Sequence, residues 1–469
     1  MAMDGDRSRS RVEWTMKSSV SIRPGRLGAV LGLAVVLAGC AVAPAREAEV
    51  RAYVPTEARW AAGLWGAAIP GGMNETSDHP ANAPTLGIDE AVRLAFGENP
   101  RAHWLRANFL AEIAAIDAAA APGGLTLSWA RLRPEAGLAK LALGLSVPLG
   151  EWLSLPARQR VAYWERAATA QEAAWETLRF EHEVRVAWST AVAEGRRAAR
   201  LAEAAEVAAL AAELGARYHA AGNLARRELH ALELASGQAL GAAAAASVDA
   251  DAARSELASL LGLPATDPRL RLPDDLPELP APVQAEGIPP ALEVENALRR
   301  RLDLLAARSR VTARQLEAER SRRWSRLPTV EAGAAREREP DGERLRGPEV
   351  AAGWSPAGLA EARGDSAASA RARAEAEALR VRVANELPAR SLALRRAADV
   401  ARLYASELLP RQAARVQEAQ QRQSYMLEGP FTLLEERRQV AELEAEAVRQ
   451  RWVAWKAWHE WQLSSGGAP

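Results

Sequence analysis

A long stretch without proline constrains this chain more than any other feature. It lies between Pro156 and Pro264 and consists mainly of Ala, Leu, Glu and Arg, with a few glycines. Because these residue types favour helices and proline breaks them, the stretch predicts very long helices. A single helix over 157–221 would be about 100 Å long at about 1.5 Å per residue, which predicts an elongated molecule. A turn at 222–223 would fold 224–261 back as an antiparallel coiled hairpin.

The second half of the chain resembles the first. The segment Ala95–Pro100 has a weak counterpart in Ala297–Leu302, and the spacing from Tyr218 to Gly222 recurs from Tyr425 to Gly429, at offsets of 202 and 207 residues. Two similar offsets and a common element order favour an internal duplication. We therefore expect a first repeat at 86–262, a Pro-rich linker at 263–290, a second repeat at 291–463 and a tail at 464–469.

Two short segments in each half predict β-strands. Large and small side chains alternate over 141–147, opposite a second alternating segment at 125–131, with turn residues at 134–137. The segments 330–338 and 349–354 of the second half alternate less regularly. Four strands are too few for a closed membrane barrel, which needs about 8, so several chains would have to contribute. The strand residues expected to face lipid are Leu141, Leu143, Leu145 and Val147. A soluble sheet packed on the helices is the alternative.

The amino terminus has the features of an export signal. Arg23 and Arg26 precede an uncharged apolar run, which ends in small residues directly before Cys40, the single cysteine of the chain. This pattern resembles a bacterial lipoprotein signal, and it predicts a signal peptide at 1–39, a lipidated Cys40 and a membrane-anchored tether at 40–85. A buried free cysteine is the alternative, and translation could start at Met1 or Met16.

Composition and motifs argue against an enzyme. Sixty basic and sixty acidic residues leave no excess charge for binding nucleic acid. One cysteine and six scattered histidines predict no metal site, and the phosphate-binding and nucleophile motifs are missing, so we expect no cofactor. Two His-Glu pairs, at 182–183 and 459–460, begin a zinc-protease pattern without its second histidine. We expect both histidines on helix surfaces.

Several short motifs, in this order, resemble the TolC-like outer-membrane efflux proteins over about Leu86 to Leu463. They are Asn99-Pro100, Val147-Pro148-Leu149, Leu260-Leu261-Gly262, Arg301-Leu302-Asp303-Leu304 and Tyr425-Met426-Leu427-Glu428-Gly429-Pro430-Phe431. The last of these looks most like the branch found among heavy-metal efflux systems. Two departures stand out, since Leu302 replaces a common proline and Trp354-Ser355-Pro356 replaces an apolar passage from strand to helix.

The resemblance implies a mainly α-helical chain with a small β part. Its duplicated hairpins would form a periplasmic tunnel, and three chains would each contribute four strands to a 12-stranded β-barrel. The implied function is passive export across the outer membrane of metal ions or small toxic molecules, delivered by an inner-membrane pump through a periplasmic adaptor. A structural coiled-coil lipoprotein without a pore and a channel for type I protein secretion remain alternatives.

The resemblance also places the adaptor contact and the closed constriction at the hairpin tips. The implied tip residues are Gly222, Asn223, Leu224, Gly429, Pro430 and Phe431, with Phe431 as an apolar plug. Glu228 and Glu435 each follow a tip glycine by six residues, and in a trimer they could form a ring of carboxylates that favours cations. Exposed glutamates without a role in gating are the alternative.

Overall fold

The computed structural model describes most of the chain after the tether, namely residues 85–132, 139–280, 290–339, 342–353 and 357–466. These residues lie in one compact unit, Val50–Pro469. Cys40, the signal peptide, the tether up to residue 84, the turn at 134–137 and Trp354 lie outside the described residues.

Each half of the described chain consists of two short helices, a strand pair and a long helical hairpin. The elements of the first half are α1 Ile88–Glu98, α2 Pro100–Ala120, β1 Thr126–Leu132, β2 Lys140–Pro148, α3 Leu149–Ala220 and α4 Arg226–Leu261. Those of the second half are α5 Pro290–Arg300, α6 Leu302–Trp324, β3 Thr329–Arg338, β4 Arg344–Gly353, α7 Ala357–Leu403, α8 Leu409–Ser424 and α9 Pro430–Ser465. The predicted class, mainly α with a small β part, is confirmed.

Helix α3 begins earlier than the sequence predicted. It has 72 residues and passes through Pro156, so it is about 108 Å long. In the turn before this proline, the side chains of Ser154 and Arg158 donate hydrogen bonds to the carbonyl of Glu151, each at 3.1 Å. These bonds support the helix beside a residue that has no backbone donor.

The long helix of the second half is interrupted where α3 is continuous. Residues Tyr404–Leu408 form a π-helical turn between α7 and α8. Pro410 is the second residue of α8, and because it has no N–H, the carbonyl four residues before it loses its helical partner. A wider turn at this point accommodates the missing hydrogen bond.

The four strands form one antiparallel sheet in the order β1-β2-β3-β4. The central pairing joins the halves, with Leu145 of β2 opposite Ala334 of β3. Strand β4 begins at Arg344, whereas the sequence predicted a strand from 349. Arginines, Gly347 and Pro348 mask the alternation in its first half, although Pro348 is tolerated because β4 is an edge strand.

The hydrophobic core lies where the short helices pack on the long ones. Its largest fully buried members include Phe180, Leu257, Leu261 and Leu270. The described part of the predicted linker, 263–280, packs into this core instead of acting as a free spacer, because Leu270 and Leu276 are buried and Trp455 donates a hydrogen bond to the Pro277 carbonyl at 3.0 Å.

The tryptophans of α9 recur at every third residue from 452 to 461 and have a packing role. Trp455 and Trp458 are buried, while Trp452 and Trp461 pack against the same core. Among the described residues, no helix is both long and apolar enough to cross a membrane.

The two halves end in matching corners. In the first, Asn99 caps α2 by accepting from the Arg101 N–H at 2.7 Å, and its amide donates to the Leu260 carbonyl at the end of α4 at 2.6 Å. In the second, Arg301 precedes α6 and donates to the Ser464 carbonyl at the end of α9 at 3.3 Å. The closing helices end at left-handed glycines, Gly262 and Gly466.

Candidate functional site: hairpin tips and sheet faces

The tip of the first hairpin is a tight turn closed by backbone hydrogen bonds. Gly222 has φ of 78°, and its N–H donates to the His219 carbonyl at 2.9 Å. The Asn223 N–H donates to the Tyr218 carbonyl at 2.8 Å, and the Leu224 carbonyl lies 2.8 Å from Nδ1 of His219. The left-handed conformation explains the glycine, because a side chain there is strained.

The tip of the second hairpin has the same geometry at a different residue. Met426 has φ of 58°, its N–H donates to the Gln423 carbonyl at 2.9 Å, and the Leu427 N–H donates to the Arg422 carbonyl at 2.9 Å. Gly429 has φ of −74° and is the extended residue before α9. Met426 is therefore the counterpart of Gly222, and the predicted pairing of Gly222 with Gly429 is wrong.

The correct register between the tips is 204 residues, not 207. The same offset relates Ala225 and Gly429, the residues directly before α4 and α9. The sequence match is misleading because glycine usually marks such a turn, whereas at Gly429 the chain only enters the next helix.

This register separates the two candidate acids. Glu228 is the third residue of α4, exposed and without an ion pair among the described residues. Glu435 is the sixth residue of α9, where Oε1 lies 2.6 Å from Nη2 of Arg438 and accepts from Gln439 at 2.8 Å. The hydrogen bond from Arg438 holds the pKa of Glu435 below its usual value. The two acids therefore occupy different positions in their hairpins. Of the two, only Glu435 forms an ion pair with a described arginine.

Phe431 lies between the two hairpins. Its ring packs edge-on against Tyr218 of α3, with ring centroids 5.5 Å apart. Pro430 is the first residue of α9 and is half-buried. Within one chain, Phe431 therefore joins the tips, and its role as a plug stays a prediction.

Three apolar residues at the second tip were missed as site residues. Tyr425, Met426 and Leu427 are 76%, 93% and 74% exposed. Adjacent exposed apolar side chains of this size are typical of a docking surface. The signal was present in the sequence, since the three stand between Ser424 and Glu428 where a polar turn would be usual.

The sheet has two chemically different faces. The leucine face carries the four predicted side chains Leu141, Leu143, Leu145 and Val147, and the strand register places other residues beside them in rows. From the hairpin ends towards the helices, these rows are Arg131, Leu141, Arg338 and Arg344; Trp129, Leu143, Arg336 and Arg346; Leu127, Leu145, Ala334 and Pro348; and Val147, Ala332 and Val350.

The opposite face, here the glutamate face, is small and polar. Its rows hold Ala130, Ala142, Glu337 and Leu345; Ser128, Gly144, Ala335 and Gly347; Thr126, Ser146, Gly333 and Glu349; and Pro148, Glu331 and Ala351. Lys140 lies 2.8 Å from Glu337 on this side. Large apolar side chains are therefore confined almost entirely to the leucine face.

The leucine face is exposed in the single chain. Leu127 is 74% and Trp129 is 66% exposed, and Leu143, Leu145 and Val350 are exposed as well. Strands β1 and β4 are edges, each paired on one side only among the described strands. An apolar face with two open edges is incomplete as it stands, because water does not favour the face and lipid does not tolerate the edges.

The two His-Glu pairs do not form a metal site. Contrary to expectation, His459 is buried, and its ring packs on Trp455 at 5.4 Å and on His182 at 6.4 Å between centroids. Burial lowers the pKa of His182, and it lowers that of His459 to about 4. Within the described ranges, no three His, Cys, Asp or Glu side chains are grouped to hold a metal.

Neither a protein-family model nor a curated protein matches the sequence. Solved structures do match. A membrane protein from Pseudomonas aeruginosa is 16% identical with a TM-score of 0.68, covering 84% of this chain and 100% of that chain. The CmeC outer membrane channel of Campylobacter jejuni is 13% identical, with a TM-score of 0.66 and coverage of 85% and 93%. The outer membrane protein VceC of Vibrio cholerae is 14% identical, with a TM-score of 0.65 and coverage of 81% and 96%. The chain thus has the fold of these proteins, as the TolC-like motifs predicted.

Proposed function

We propose that this protein is an outer-membrane channel that acts as a homotrimer and exports its substrates passively. The leucine face and the open edges β1 and β4 carry this proposal. Three copies joined edge to edge would close a 12-stranded barrel, with the leucine face towards lipid and the glutamate face towards the lumen. Closure would place the leucine face against lipid and give the edge strands β1 and β4 hydrogen-bonding partners. The single chain provides neither.

The long hairpins support the rest of the proposal. They would extend from the sheet into the periplasm, where the tip turns would meet a periplasmic adaptor and an inner-membrane pump. The exposed Tyr425, Met426 and Leu427 are suited to the adaptor contact. Because the chain carries no energy-coupling motif, the pump would supply the energy.

The membrane anchor and the substrate are further parts of the proposal. Lipidation of Cys40 would hold the tether in the outer membrane, and export of metal ions or small toxic molecules remains the predicted activity. The residues that support a channel are the small and acidic ones of the glutamate face, among them Glu331 and Glu349, which would give a water-filled lumen.

The first test is the mass of the full chain extracted in detergent, measured by light scattering with correction for bound detergent. We expect a trimer, and a trimer that conducts ions across a planar bilayer would support the channel. A monomer would leave the four strands unclosed and favour the alternative, a coiled-coil lipoprotein without a pore. A trimer that does not conduct would also favour that alternative.

A further inference from the structure

The leucine face carries a group of arginines at one end only. They are Arg131, Arg336, Arg338, Arg344 and Arg346, here the arginine cluster, and all lie in the two rows nearest the ends where β1 runs towards β2 and β3 towards β4. The glutamate face carries no arginine in its paired rows. Five positive charges are therefore sorted onto one face and one end of the sheet.

The arginine cluster is free to bind a ligand. All five side chains are exposed, and none forms an ion pair with a described residue. In contrast, Lys140 on the glutamate face pairs with Glu337 at 2.8 Å and approaches Glu339 at 3.8 Å. Lys140 on the glutamate face is thus paired with acids, whereas no described acid pairs with the arginines of the leucine face.

The register places like charges directly opposite one another. Arg336 is paired with Arg346, and Arg338 with Arg344, across β3 and β4. Directly opposed like charges destabilise a strand pair. An anion bound between the guanidinium groups would offset that repulsion, and guanidinium groups match phosphate with two parallel hydrogen bonds.

The position of the cluster identifies the source of the anion. Helices α3, α6 and α7 all join the sheet at the other end of the strands, beyond Pro148, Thr329 and Gly353. If the leucine face contacts lipid, the cluster lies at the membrane surface far from the helices. An arginine is costly at the bilayer midplane and far less costly near the membrane surface. Trp129 shares a row with Arg336 and Arg346, and tryptophan is typical of this interface.

We propose that the arginine cluster binds the phosphate groups of lipid head groups in the membrane leaflet far from the helices. This inference rests on the proposed function, because it requires the leucine face to lie in a membrane. Bound phosphate would hold β3 and β4 together and fix the depth of the barrel.

The test uses the full chain in detergent and compares three additions: bis-phosphorylated lipid A, the same lipid A without its phosphates, and inorganic phosphate. The readout is the melting temperature of the oligomer, followed by tryptophan fluorescence. We expect only phosphorylated lipid A to raise the melting temperature strongly. In the double variant Arg336→Gln and Arg346→Gln, the apparent affinity should fall about tenfold or more, since two charge-assisted contacts are lost.

A matched control removes two exposed arginines near the C-terminal end of α7, Arg395→Gln and Arg396→Gln, and should respond like the wild type. If the glutamine variant does not assemble, Arg336→Lys and Arg346→Lys keep the charge but lose the bidentate geometry, and they should show a weaker response than the wild type. An equal response to both lipids, to inorganic phosphate alone, or in the lysine or glutamine variant overturns the inference.

The mass of the wild type, measured on the same sample, distinguishes failure of this inference from failure of the proposed function. A wild-type trimer whose lipid response does not depend on the arginines overturns the inference and leaves the channel intact. A wild-type monomer overturns the proposed function, and with it the inference.

Discussion

The two halves of the chain share their backbone geometry but not their side-chain chemistry. Asn99 and Arg301 both precede a helix and donate to the last carbonyls of the helix that closes their half. Asn99 does so with a short neutral amide. Arg301 does so with a buried guanidinium that also pairs with Asp303 at 2.7 Å and lies 5.0 Å from the centre of the Trp175 ring. The corner is thus set by the ends of the helices, and different side chains can complete it.

The same contrast recurs at the tips and in the sheet. Gly222 and Met426 occupy matching left-handed turns, although only glycine adopts that conformation without strain. The first strand pair presents leucines and a tryptophan where the second presents alanines and arginines. The two halves therefore share backbone positions, but they differ in which side chains at those positions are buried, charged or strained.

Removal of Arg301 should have the largest effect. Arg301 is only 5% exposed, and Arg301→Ala removes its ion pair with Asp303 and its hydrogen bond to the Ser464 carbonyl. We expect a loss of about 3–5 kcal/mol in the free energy of unfolding, against about 1–3 kcal/mol for Asn99→Ala. Urea unfolding of the full chain, followed by tryptophan fluorescence, measures both.

The control for this comparison is Arg299→Ala, which removes an exposed partner of Glu295 one helical turn away. It should cost about 1 kcal/mol or less. Equal losses for Arg301→Ala and Asn99→Ala would contradict the difference drawn between the two corners.

The histidine contact between the halves should make stability depend on pH. The folded-state pKa of His459 is about 4, below its ordinary value of 6.5, chiefly because the ring is buried, with His182 and Arg185 as further causes. Between these values the unfolded chain binds the proton more readily. Stability is therefore complete above pH 6.5 and falls by about 3 kcal/mol as the pH drops to 4.

Urea midpoints measured from pH 7.5 to 4 would check this prediction. His459→Gln should flatten the profile, whereas His103→Gln, at an exposed position, should leave it unchanged. A profile with the same slope in the His459 variant would assign the acid sensitivity to other groups.

An arginine should be tolerated near one end of the leucine face but not in its middle. Leu145→Arg introduces a charge into the row of Leu127 and Ala334, at an expected cost of about 2–4 kcal/mol per chain in a membrane barrel. The fraction of trimer in detergent extracts should fall sharply. The neighbour Ser146→Arg, on the glutamate face, is the control and should still assemble.

Substitutions at the two hairpin tips should change the stability of the protein in opposite directions. Gly222→Ala places a side chain at φ of 78° and should destabilise the protein by about 1–2 kcal/mol. Met426→Gly relieves the same strain, with part of the gain lost to the flexibility of glycine, and should stabilise it by about 0.5–1 kcal/mol. Melting temperatures of the two variants decide this, and a loss of stability in both would argue against equivalent turns.

The smallest expected effect concerns ion selectivity. Glu228→Gln removes an acid without an ion pair, whereas Glu435→Gln removes one already neutralised by Arg438. In a conducting trimer, the first should reduce the preference for cations more than the second, because a paired carboxylate contributes little field. Reversal potentials in a salt gradient measure both, and an unchanged value for Glu228→Gln would dismiss a selectivity role.

The sequence predicted the large features of the fold because they follow from local preferences. The first hairpin, the strand β2 and the internal order of elements all follow from helix formers, alternation and breakers. The π-helical turn, the early start of α3 and the packed segment 263–280 were missed. Each depends on distant partners or on hydrogen bonds that no local pattern records.

The candidate site was predicted less completely. Gly222 was correctly placed in a turn, and Leu141, Leu143, Leu145 and Val147 share one face, as the alternation required. The second turn was assigned to Gly429 because glycine usually occupies such positions, yet Met426 adopts the strained conformation. Tyr425, Met426 and Leu427 were missed because a one-dimensional pattern does not reveal which apolar residues stay exposed.

The sequence by itself determined that the helices are very long, that the first hairpin turns at Gly222, and that the strands have a period of two, since these depend on residues a few positions apart. Only the tertiary structure decided the register. It paired the halves at an offset of 204 residues, sorted the arginines onto the leucine face, and buried His459 against Trp455. The physical reason is that register and burial depend on which surfaces exclude water together, and those surfaces are formed by residues far apart in the chain.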